Sequence, residues 1–88
     1  MKQLDADEFT KDLTQILSRL AEVPPEQISL DDDLREDIGL DSLQSMELLS
    51  RICEKWDVDV EMEDMIEVKT VRDVVTFMTR LAKENGQP

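Results

Sequence analysis

Apolar residues recur at helical intervals in three stretches of the chain. Phe9, Leu13, Ile16, Leu17 and Leu20 fall on one face, which predicts an amphipathic helix of roughly 15 residues. Asp5, Asp7 and Glu8 stand at its front, where negative charge complements the helix dipole. Pro24 and Pro25 follow, so the helix ends before them. A second helix is expected from about Ser42 to Trp56, with Leu43, Met46, Leu49, Ile52, Cys53 and Trp56 as its apolar stripe and Leu48 beside it. A third starts at Thr70, where Thr70 and Asp73 resemble a capping box with Asp in place of Glu. Val71, Val74, Val75, Met78 and Leu81 line one face of it, Phe77 lies alongside, and Asn85-Gly86 is a fitting stop. The β-branched run "VRDVVT" would also suit a strand; the 3.6-residue spacing and the flanking caps favour helix.

Two connections remain. Residues 21–41 form an unusually long one, and loops of such length often carry function. Its spaced apolar residues, Val23, Ile28, Leu30, Leu34, Ile38 and Leu40, are expected to pin it to the core, and Gly39 offers a backbone conformation other residues resist. In "DVDVEMEDMIEV", Asp57 and Asp59 alternate with Val58 and Val60, and a short helix is expected around Met62, Met65 and Ile66. The sum is an all-α fold: a small four-helix bundle of three longer helices and one short one, with the long loop between the first two. No repeat or low-complexity segment interrupts it, and residues 1–88 are read as a single domain.

Charge narrows the function. Of 88 residues, 22 are acidic and 10 basic, a net charge of −12. Nucleic acid is excluded as a partner, because affinity there needs Lys and Arg on phosphates. An anionic membrane surface is excluded on the same ground, and a basic protein surface is the complement. No apolar run is long enough to span a bilayer, and residues 1–20 lack a signal-peptide core. Cys53 is the only cysteine, which fits a reducing compartment. We therefore expect a cytoplasmic monomer, free-standing because the chain starts at Met1 without a long linker.

The inventory for catalysis is poor. Histidine and tyrosine are absent, so neither a Ser-His-Asp triad nor histidine-ligated zinc can form. "GLDSL" lacks the second glycine of a nucleophile elbow. "DDDLREDIGLDS" places Arg35, Glu36 and Ser42 where a calcium loop needs an oxygen ligand, Gly and Glu. Cys53 lies on the apolar stripe and reads as a buried, inert thiol. Trp56 reads as a core anchor, and Met46, Met62, Met65 and Met78 as core, although Met is adaptable packing material and an opening between the second helix and the short one would admit an apolar chain.

Ser42 remains. It would serve as a helix N-cap, but Asp41 is an equally good cap, with Gln44 three residues on. A box of Asp41 and Gln44 puts Ser42 at the first helical position with its hydroxyl free. A helix N-terminus also favours phosphate, so the residues describe a hydroxyl able to carry a phosphodiester. The bland reading is an acidic helical interaction module with Ser42 as a plain cap.

Asp41-Ser42-Leu43, preceded by "EDIGL", resembles the acyl carrier protein family. The context agrees over roughly residues 5–83: size, acidity, the long first connection, "ELL" at 47–49, the Trp56-Asp57 pair and "TVRDVV" at the start of the last helix. The resemblance implies 4′-phosphopantetheine attached to Ser42 by a phosphopantetheinyl transferase, with Asp41 assisting the transferase and its metal and Leu43 flanking the site. The arm's thiol would carry acyl groups as thioesters to acyl transferases, ketosynthases or other enzymes of fatty-acid, polyketide or related lipid synthesis. It also implies a partner face of Asp37, Leu43, Met46, Glu47 and Glu54 that meets basic docking patches, and a carrier rather than an enzyme. Gln44, Ser50 and Cys53 stand where many fatty-acid carriers have acidic or Met residues. Arg51 and Lys55 add positive charge, and Glu61 replaces a proline often seen there. These departures make a specialised lipid or polyketide pathway credible beside the housekeeping fatty-acid one.

Overall fold

A computed structural model describes residues 4–84. Three α-helices are present: α1 (Ala6–Ala21), α2 (Ser42–Trp56) and α3 (Val71–Glu84). Asp5 caps α1 by accepting from the Asp7 and Glu8 N–H groups, and Glu22, at φ 56°, closes it ahead of the prolines. Thr70 and Asp73 form the expected reciprocal pair at the head of α3, each accepting from the other's N–H at 3.1 Å. Asn85-Gly86 lies outside the described residues. No described helix is long and apolar enough to cross a membrane.

The described residues are all helical in their regular structure, apart from one isolated bridge between Asp33 and Thr70. The short fourth helix takes a smaller form than expected: a single 3₁₀ turn, Met62–Met65. It spans four residues, too few to build α-type hydrogen bonding. Glu61 opens the turn by donating its N–H to Asp64 Oδ2 at 3.1 Å, a bond proline cannot make.

The core joins all three helices and the long connection. Phe9, Leu13, Leu17, Ile52, Val71, Val74 and Met78 are its fully buried side chains. Trp56 is the anchor expected of it, its ring 4.6 Å from Phe9 in an edge-on contact. Leu34, Ile38 and Leu40 are buried too, so the long connection is pinned as its spacing suggested. It also carries a 3₁₀ turn at Pro25–Gln27, and backbone bonds clasp it to the start of α3. The Leu34 N–H donates to the Lys69 carbonyl at 2.8 Å, and the Val71 and Arg72 N–H groups donate to the carbonyls of Asp32 and Leu30. The first N–H groups of α3, which have no partner within the helix, are thereby satisfied by the loop.

Three expectations about side chains need correction. Leu43 and Met46 are not on the buried stripe of α2: Leu43 is 74% exposed and Met46 54%. The stripe is set instead by Leu48, Leu49, Ile52 and Trp56. Met62 is also exposed and Met65 half-buried, leaving Met78 as the fully buried methionine of the four. Cys53 is half-buried, because it lies at the edge of the stripe.

Candidate functional site

The site is the head of α2 and the turn that delivers it. Gly39 adopts φ +91°, a left-handed conformation that a Cβ would strain although nothing crowds the position. That turn buries Leu40 and leaves Asp41 extended at the N-cap. Asp41 Oδ1 accepts from the Gln44 N–H at 2.8 Å, and Gln44 Oε1 accepts from the Asp41 N–H at 3.1 Å. The capping box is complete, and Ser42 is the first helical residue, exposed, its hydroxyl in no hydrogen bond among the described residues.

Gln44 does something periodicity does not reveal. Its Nε2 donates to the Leu20 carbonyl at 2.9 Å, tying the head of α2 to the last turn of α1. An acid at this position would have no proton to donate. The heads of α2 and α3 differ in consequence. The loop carbonyls close α3, whereas the N–H groups of Ser42 and Leu43 meet no acceptor among the described residues. Open N–H groups and the positive end of the helix dipole suit a phosphate esterified at that serine.

The expected partner residues separate into two groups. Leu43, Met46, Glu47 and Glu54 share the exposed side of α2. Asp37 is exposed in the loop, but its Oδ2 accepts from the Asp33 N–H at 2.7 Å and so helps frame the turn. Asp33 is the hub of that turn. The N–H groups of Glu36 and Arg35 donate to its Oδ1, and these bonds hold its carboxyl below its ordinary 3.8. No sequence signal marked Asp33 among the neighbouring aspartates.

Beside the site lies a cleft of about 490 Å³. Leu48, Leu49, Met65, Val68 and the exposed Met62 and Ile66 give it an apolar wall; Arg35, Glu36 and Lys69 give it a charged rim. Ser45, one helical turn beyond Ser42, faces it. The opening expected between α2 and the short turn is therefore present.

Comparison with known proteins follows the same line. Residues 11–78 match a family model described as a phosphopantetheine attachment site. An acyl carrier protein of Saccharopolyspora erythraea is 35% identical over 72 residues, covering 82% of this chain and 76% of that protein. One from Rhodococcus erythropolis is 27% identical over 81 residues, 92% of this chain and 89% of its own length. A meromycolate extension acyl carrier protein of Mycobacterium leprae is 28% identical over 81 residues, 92% of this chain and 70% of that protein.

Proposed function

The chain belongs to the acyl carrier protein family, whose members carry acyl groups on 4′-phosphopantetheine, and from that premise we propose that Ser42 bears the arm. The observation that carries this assignment is the closed box of Asp41 and Gln44, which relieves Ser42 of capping and leaves its hydroxyl exposed. When bound, the group supplies a thiol on a flexible arm, the attachment point for acyl cargo.

The protein's own residues do the rest. Asp41 fixes the helix head beside the attachment oxygen, and Leu43 flanks it as an apolar contact. Met46, Glu47 and Glu54 extend this surface along α2, and Asp37 adds charge from the loop. The whole of residues 1–88 acts as one carrier domain, with the Met62–Met65 turn as the short fourth member of its bundle. Its part is delivery rather than catalysis, since one tethered substrate meets successive enzymes at high local concentration. Exposed charge pairs, worth only ~0.2–1 kcal/mol each, allow the carrier to leave after each step. Clients of this surface are the phosphopantetheinyl transferase, acyl transferases and ketosynthases with basic docking patches. The Mycobacterium leprae relative is named for meromycolate extension, which supports a lipid-building pathway.

Incubation with coenzyme A, magnesium and a broad-specificity phosphopantetheinyl transferase, followed by intact mass, tests the assignment. The folded wild type gains one arm and Ser42→Ala gains none. An unmodified wild type under conditions that load another carrier overturns it.

A further inference from the structure

We propose that Arg51 is a specificity-determining residue, and that the enzyme this carrier serves presents a carboxylate opposite it, between basic groups opposite Glu47 and Glu54. The inference rests on the carrier reading and goes beyond it. Residues four and seven positions apart return to the same side of a helix, so Glu47, Arg51 and Glu54 form one stripe. All three are exposed, and Leu43, four residues before Glu47, heads the stripe beside Ser42. Outward from the attachment serine the surface therefore reads apolar, negative, positive, negative.

The alternative use of Arg51 is an ion pair within the helix, to Glu47 or Glu54. The structure makes neither: among the described residues the ion pairs are Lys55 with Asp12 and Arg72 with Asp31. The two cations of α2 are thus used differently. Lys55, itself half exposed, reaches toward α1, its Nζ 3.9 Å from Asp12 and 5.7 Å from the Trp56 ring. Arg51 is exposed and in no ion pair or hydrogen bond among the described residues, between Glu47 and Glu54 on the stripe. A docking patch made only of Lys and Arg meets a like charge there, which disfavours it. A patch with one acid at that point gains a forked, charge-assisted contact.

The test uses phosphopantetheine-loaded wild type, Arg51→Gln, Arg51→Glu and Arg80→Glu, the last making the same charge change on α3. The probe is a fatty-acid ketosynthase whose docking patch holds Lys and Arg but no acid. At low salt, Arg51→Glu raises kcat/KM by about two- to fivefold over wild type, with Arg51→Gln between them, and 1 M salt removes the difference. Arg80→Glu leaves it near the wild-type value. Reversal of one docking Lys or Arg of the ketosynthase to Glu inverts the preference in favour of wild type. Equal rates for wild type and both Arg51 variants overturn the proposal, as does an equal gain from Arg80→Glu, which makes the effect one of net charge. If the arm fails to load on Ser42, the carrier reading itself falls; if loading succeeds and the Arg51 variants are silent, only this inference does.

Discussion

Both ends of the Gln44 amide are engaged, Oε1 by the Asp41 N–H and Nε2 by the carbonyl of Leu20, 24 residues away. Gln44→Leu removes both bonds and leaves a part-buried carbonyl without a donor, so it is expected to cost about 1–2 kcal/mol, read as a lower urea midpoint at unchanged slope. Gln44→Glu keeps an acceptor for Asp41 but supplies no donor for Leu20, and adds a negative charge beside one already there. It should fall below wild type as well. Urea curves that superimpose for all three proteins would show the tie to be idle. The local half of this arrangement was legible, because Asp41 and Gln44 stand at capping-box spacing. The tertiary half was not, since nothing in a linear pattern marks which side chain reaches a carbonyl on another helix. Ser42 was legible for a related reason: its freedom follows from a better cap one residue earlier.

At the scale of elements, α3 depends on Asp73. Its Oδ2 accepts from the Lys69 and Thr70 N–H groups, both at 3.1 Å, and these bonds lower its carboxyl below the ordinary 3.8. The folded group ionises at lower pH than the unfolded one. Its stabilisation is therefore complete above the unfolded value and disappears as pH falls through the folded one. Asp73→Ala should cost about 1 kcal/mol near neutrality, and the gap to wild type should narrow below about pH 4. A gap constant from pH 7 to 3 in thermal melts would rule out this role. The three long helices were legible because period and caps agree at each. The place of the Met62–Met65 turn was legible but its 3₁₀ form was not, because one turn has no period to read. Nor were the outward Leu43 and Met46: when the apolar arc of α2 is wide, spacing alone does not say which part of it meets the core. Leu34, Ile38 and Leu40, buried by the long connection, decide that.

Across the whole molecule, a net charge of −12 sits on a body with a radius of gyration of 12.1 Å. Carboxylates so crowded repel one another and favour expansion. Magnesium or moderate salt should raise the melting temperature, at about 4–8 °C for each kcal/mol of repulsion relieved. Mild acid should do the same until the carboxylates of Asp33 and Asp73 take up protons, after which stability falls. Melts indifferent to magnesium and to pH between 7 and 5 would show that repulsion is unimportant. The clasp between residues 30–34 and 69–72 adds an order of events. A growing polypeptide held at the ribosome with residue 69 still in the exit tunnel has nothing for Leu30, Asp32 and Leu34 to bond to, so the approach to Ser42 stays unset. Only once the start of the last helix is available can that approach close, so a chain cut before residue 69 should leave the head of the serine's helix unset.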